Sequence, residues 1–245
     1  MAIARPKNPT DTMVDTLVNK LKALVRELGI GTSVLYLIDR MLRRVPGWGI
    51  CDYRFFAQYL PDKPRLADGR AKKFELHWLS QPDPLLAELG RPESVILNRF
   101  SQGARCLIAI REGRLAGCIW YVRSQFIEDE VRVDFILPDK RLVWDFDVYI
   151  ADSARLGFLF ARMWDVFDAR LRSEGVEITM SRINGFNARS INSHLRLGAQ
   201  IVGRALFFKF GRLQLMLASQ SPYVHLARRG RSKLTFAFDK NSPKA

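Results

Sequence analysis

Two runs rich in β-branched and aromatic residues, Arg105–Arg111 and 115–123, stand on either side of Glu112-Gly113. Runs joined this closely read as a β-hairpin, because glycine at the turn supplies the positive φ that a two-residue connection needs. A hairpin here commits its neighbours to a sheet with antiparallel pairing. Periodicity then places the other elements. A short strand at 74–79 and helices at 84–89 and 93–101 precede the hairpin. A strand through 131–137 and another over Leu142–Ile150 follow it. In the latter, Asp145, Asp147 and Tyr149 share one face, and Trp144, Phe146, Val148 and Ile150 share the other. Next come a helix from about 154 to 173, a strand at 176–183, a helix at 187–197 closed by Gly198, and strands at Gln200–Phe210 and 213–217. The fold class is mixed α/β (α+β), with a largely antiparallel central sheet and covering helices.

The N-terminal part is of another character. Val14, Leu17, Val18, Leu21, Leu24, Val25 and Leu28 recur at three- and four-residue steps, an apolar helical stripe that Gly29 and Gly31 end. A second amphipathic helix at 33–44 finishes on Arg40, Arg43 and Arg44, and an aromatic-rich strand follows at 52–60. Basic amphipathic helices suit two places, the flank of the following domain or the surface of a membrane. The expected division is an N-terminal helical and strand extension at 1–72, a catalytic-type domain at 73–218, and a mobile tail at 219–245 carrying Arg228, Arg229, Arg231 and Lys233.

With 48% apolar residues the 245-residue chain has material for a real core, and disorder of the whole is excluded. The net charge of +14 points to anionic partners: a nucleic acid, a membrane surface, an acidic protein or a phosphorylated ligand. No zinc-finger spacing, RRM signature or basic region with heptads accompanies the charge, so nucleic acid is not the expected partner. Cys51, Cys106 and Cys118 lack paired CxxC spacing, so they are expected to be free thiols, with no metal site. The uncharged apolar stretch at 28–38 is too short to span a bilayer, and 1–15 has no apolar leader. A cytoplasmic protein is expected, with the inner membrane face as a candidate peripheral location.

One motif sharpens this outline. In Asn187-Ala188-Arg189-Ser190-Ile191-Asn192-Ser193-His194-Leu195-Arg196-Leu197-Gly198, the residues Asn187, Ser190, Ile191, His194, Leu197 and Gly198 fall on fixed steps of a late helix. With the element order from Phe74 to Leu217, this resembles the GNAT superfamily of N-acyltransferases, whose helix carries an acid-base Tyr where His194 stands. The resemblance implies transfer of an acyl group from a thioester to an amine. The donor would be acyl-coenzyme A or an acyl carrier protein, and the acceptor an amine, with a lipid-like one among the candidates. It also implies that the backbone of Val148 and Ile150 pairs with the donor's pantetheine arm and that Asn187 and Ser190 face it. The family's phosphate-binding loop retains only Arg155 and Gly157, and bulky Leu159 and Phe160 stand where small residues are usual. The eroded loop and the positive charge favour a carrier protein as donor.

The chemistry needs a proton donor for the leaving thiolate (thiol pKa about 8.5) and an acceptor for the amine's proton. An imidazolium titrating near about 6.5 makes His194 a candidate donor; a lone His also often packs or caps within its helix. Candidate acceptors are Asp145, Asp147 and Glu128, the last in a Glu128-Asp129-Glu130 run. For Asp145 and Asp147 a salt bridge to an arginine such as Arg132 or Arg182 is an equal alternative. Asn187 is also a natural helix N-cap. A catalytically silent binding module on the same fold remains the second reading.

Overall fold

In the computed structural model the described residues are 9–67, 70–155 and 157–236. The chain opens with α1 (Pro9–Leu28) and α2 (Ile30–Leu42), followed by β1 (Trp48–Tyr59) and β2 (Glu75–Leu79). After a 3₁₀ turn at Pro84–Leu89 come α3 (Glu93–Ser101), β3 (Arg105–Arg111) and β4 (Arg114–Val122). Then follow β5 (Gln125–Ile127), β6 (Val133–Ile136), β7 (Leu142–Ile150), α4 (Leu159–Ser173), β8 (Ile178–Asn184) and α5 (Ala188–Arg196). The chain closes with β9 (Gln200–Phe210), β10 (Leu213–Ala218), β11 (Val224–Ala227) and β12 (Ser232–Thr235).

Nine strands form one sheet in the order β11-β10-β9-β1-β8-β7-β4-β3-β2, and β12-β6-β5 form a second, small sheet. Every pair in the large sheet is antiparallel except β7–β8. The β3–β4 hairpin turns as expected, with Glu112 at φ 54 and Gly113 at φ 73. Two positive φ values in succession match the right-handed strand twist, and glycine takes the second without strain.

Two cores sit on opposite faces of the large sheet. On one, the small sheet, α3 and the 3₁₀ turn cover Phe55, Cys106, Trp120 and Trp144. There Phe135 stacks on Trp144 at 4.4 Å, and Phe236 lies 5.0 Å from Phe55. On the other face, Leu159, Met163, Trp164, Phe167 and Leu171 of α4 pack on Leu107, Ile119 and Val143. All three cysteines are free and buried. No described helix is long and apolar enough to cross a membrane.

Several expectations need correction. The strand expected at 52–60 as part of an extension is the middle of the sheet: β1 pairs with β8 on one side and β9 on the other. It is buried on both faces, where the polar Asp52 and Gln58 are enclosed along with Phe55 and Phe56. The strand expected through 131–137 does not extend the large sheet; β6 belongs to the small one, antiparallel to β5 and parallel to β12. The basic tail is ordered through Phe236, because β11 adds to β10 and the buried Leu234 and Phe236 fill the core beneath the small sheet. Residues 237–245 of that tail and residues 1–8 of the N-terminal segment lie outside the described residues. The segment 84–89 is a 3₁₀ turn. The helix expected from about 154 begins at Leu159, after a 3₁₀ turn at Asp152–Ala154.

Candidate active-site cleft

The two parallel strands β7 and β8 are hydrogen-bonded only from Leu142 opposite Ile178 to Trp144 opposite Met180. Beyond that point β7 runs on to Ile150 and β8 to Asn184 without pairing with each other. The cause lies in β7. Between Trp120–Phe146 and Cys118–Tyr149, β4 advances two residues while β7 advances three. Asp147 takes the extra step at φ 50. An extra residue on one strand is a β-bulge, which bends the strand and ends regular pairing. The bulge also breaks the expected alternation: Phe146 and Tyr149 pack toward one core, and Val148 and Ile150 toward the other.

The strands therefore diverge, and a cleft of about 630 Å³ opens between β7, the start of α4 and α5. One wall is Val148, Tyr149 and Ile150 of β7. The floor is Arg155, Gly157 and Phe158, with Phe160 and Ala161 from the start of α4. The far wall is α5, presenting Asn187, Arg189, Ser190, Ser193, His194 and Arg196. Among the described lining residues are three arginines and no carboxylate. The first turn of α4 has no acidic residue and no side-chain cap. Its N–H groups and dipole thus add to the positive field of the arginines. The site is suited to an anion.

All six residues expected to hold the donor (Val148, Ile150, Arg155, Gly157, Asn187 and Ser190) line this one cleft. Leu156 of the loop lies outside the described residues. Asn187 is the N-cap of α5, its Oδ1 accepting from Ser190 N at 3.0 Å. Arg155 donates from Nε to the Ile150 carbonyl at 3.2 Å and pairs with Asp152.

His194 lines the cleft from a nearly enclosed position, edge-on to Trp164 at 5.9 Å and 6.0 Å from Phe56. Its Nδ1 donates to the Ser190 carbonyl at 2.9 Å. That bond places the proton on Nδ1 and the lone pair on Nε2. Burial lowers the imidazole pKa, outweighing the Ser190 carbonyl that raises it. Burial thus favours the neutral imidazole over the imidazolium.

The expected acids are elsewhere. Asp147 is held by Arg91 and by Arg99, whose Nη1 donates at 2.6 Å. Burial raises its pKa, but the two guanidiniums prevail and hold it below the usual carboxylate range. Its partners are therefore not Arg132 or Arg182. Glu128 is buried and accepts from Arg182 Nε at 2.9 Å and Nη2 at 2.7 Å. Asp145 lies on the α4 side of the sheet, fully enclosed. Burial pushes its carboxyl up to about 8, with the Thr179 hydroxyl opposing and Asp168 adding to the rise. None of the three lines the cleft. Among the described residues no cluster of groups able to hold a metal is found.

Arg189, Ser193 and Arg196 were the residues that motif reasoning missed. They recur at four- and three-residue steps along α5, which puts them on one helical face. That spacing was visible in the sequence; the identity of the wall it faces was not.

The chain matches no protein-family model and no curated protein. Solved structures similar to it include a tandem GNAT protein from the clavulanic acid biosynthesis pathway, at 15% identity and a TM-score of 0.48, covering 67% of this chain and 55% of that one. A conserved protein of unknown function from Staphylococcus epidermidis is similar at 10% identity and 0.49, covering 72% and 67%. A GNAT-family acetyltransferase from Colwellia psychrerythraea is similar at 13% identity and 0.42, covering 67% and 58%. The chain thus spans little more than half the length of the tandem protein.

Proposed function

We propose that this chain transfers an acyl group from a thioester donor to an amine, with the donor seated in the cleft between β7 and α5. The observation that carries the proposal is the stretch of β7 at Val148–Ile150, bonded to β4 but open on its β8 side, facing the uncapped start of α4, with His194 on the opposite wall. An extended arm bearing amides would add to the open strand edge as a further strand does. Arg155, Arg189, Arg196 and the α4 N-terminus would hold its phosphate groups.

In the reaction the amine nitrogen forms a bond to the thioester carbonyl carbon and the C–S bond breaks. With its lone pair on Nε2, His194 is set to take the proton that the amine gives up. The departing thiolate is then protonated from the imidazolium so formed, or from solvent. Backbone N–H groups of β7 would stabilise the developing oxyanion.

Two donors share this chemistry, acyl-coenzyme A and an acyl carrier protein. Three cleft arginines fit a diphosphate, whereas Phe158 and Phe160 crowd the loop where one would sit. A binding module without catalysis is the second reading. It is favoured by Arg155, whose guanidinium already occupies the Ile150 carbonyl at the strand edge. The deciding experiment is thermal denaturation against coenzyme A, acyl-coenzyme A of short to long chain, and acylated carrier protein, followed by an amine-acceptor screen. A ligand at about a hundred times its dissociation constant adds close to 3 kcal/mol. A shift with one donor class together with His194-dependent turnover supports transfer; binding without turnover favours the module; no shift with any donor refutes the site.

A further inference from the structure

The large sheet is covered unevenly. On the face that carries α4 and α5, the helix layer ends with α2, which packs along β1 and accepts Ile50 N on Asp39 Oδ1 at 2.7 Å. Past β1 the same face turns apolar and open. Phe210, Leu213, Leu217, Val224 and Leu226 are all exposed, Val224 at 63% and Leu226 at 68%. Register places them together: Phe210 opposite Leu213, Leu217 opposite Val224, and Leu226 opposite Leu215. Their strand neighbours Phe207, Met216 and Ala227 are buried on the other face, so the alternation is apolar on both sides.

α2 continues this surface. Its inward side holds the buried Ser33 and Asp39, while Val34, Ile38 and Met41, with Val45 just beyond, repeat at four, three and four residues on the outside. Met41 is 66% exposed. The two parts join where Val45 O accepts Trp48 N at 3.1 Å and the Trp48 ring meets Phe210 at 5.3 Å. Exposed apolar area of this extent marks an interaction surface. Its borders carry exposed Arg40, Arg44 and Arg212, and α1 adds Lys20, Lys22 and Arg26.

We propose that this face seats the protein on an anionic lipid bilayer, with the α2 stripe and the open β9–β11 face immersed at the headgroup level. An apolar stripe bordered by cations is what an interfacial element requires, the apolar side chains supplying burial and the cations attraction to anionic headgroups. Trp48, apolar in body and polar at one edge, suits that depth. A second copy of this chain is the poorer occupant, since it would bring the same arginines and another charge of +14 against the first. The Tyr36 ring meets Phe186, just before α5, at 5.5 Å, so a seated chain keeps the cleft one helix away from the bilayer.

The test is sedimentation of the full chain with vesicles of phosphatidylcholine, alone or with roughly a third phosphatidylglycerol. Binding is expected to the anionic vesicles and to be weak to the neutral ones. Met41→Asp and Leu226→Asp alter exposed side chains, so unchanged melting will show that the fold is kept. Each is expected to weaken vesicle binding by about tenfold or more. Absence of binding to anionic vesicles overturns the proposal. Binding that neither substitution changes also overturns it, since adsorption then rests on charge alone. A concentration-dependent dimer that Leu226→Asp abolishes assigns the face to a second copy instead.

Discussion

His194 and Asp145 show what burial does to a titratable side chain, in opposite senses. Burial lowers the imidazole pKa of His194, so under the proposed mechanism, with the neutral ring as base, transfer activity should fall as the pH drops through a value below the usual 6.5. His194→Gln is expected to lower kcat by roughly 10²- to 10⁴-fold and to abolish that acid limb, which a profile of kcat/KM against pH will check. Asp145 is raised to about 8, above its unfolded value of about 3.9. A carboxyl raised in the folded state favours folding fully below its unfolded pKa, and the advantage is lost as the pH rises through the folded one. Melting temperature should therefore decline between about pH 4 and 8. Asp168, raised by burial to about 6 against the pull of Arg65, acts in the same direction over the lower part of that range. Asp145→Asn should flatten the upper part and leave the variant the more stable at pH 8, as calorimetry across that span will show. Both residues were singled out from the sequence, where neither burial nor its sign could be read.

At the scale of elements, the cleft exists because one strand gains a residue. The bulge at Asp147 ends the pairing of β7 with β8 at Trp144, and ion pairs to Arg91 and Arg99 anchor the bulged residue. Gly117 of β4 lets the strands remain close beside it. A Cβ there would lie 2.9 Å from both the Tyr149 carbonyl and Met163 Sδ, and 3.0 Å from Ile150 Cδ1. The carbonyl is backbone and cannot step aside, so β7 would have to shift. Gly117→Ala is expected to cost about 1–3 kcal/mol in urea unfolding and, because Tyr149 and Ile150 form a cleft wall, to reduce the thermal shift given by a bound donor. Hairpin and helix positions were legible from local pattern, since turn φ values and apolar periods are local properties. A bulge of this kind was not, because it is defined by pairing with a strand distant in sequence.

For the whole molecule, the two chain ends contribute most to what the sequence left undecided. β1 supplies the middle of the sheet, and β12 closes the small sheet over the aromatic core. Leu234 and Phe236 are buried there, the latter 5.3 Å from Trp144. Removal of everything after Ala227 should cost on the order of 5 kcal/mol or more, comparable with the total stability of many domains. Loss of a cooperative melting transition in the truncated chain is the expected observation, and an unchanged melting temperature would contradict this packing.

The sequence by itself determined the mixed α/β class, the tight hairpin, the helix that carries Asn187, Ser190 and His194, and the set of six residues that meet in the cleft. The first three follow from local φ preference or from the period of apolar side chains along one segment, and the six residues follow from the resemblance that the 187–198 motif carries. Only tertiary structure decided that β1 lies between β8 and β9, that the basic tail is ordered through Phe236, and that Glu128 and Asp147 serve ion pairs. It also decided that His194 is enclosed, which disfavours its charged form. These outcomes depend on which distant segment supplies the neighbouring strand, the opposing charge or the enclosing rings, and no local period encodes that choice.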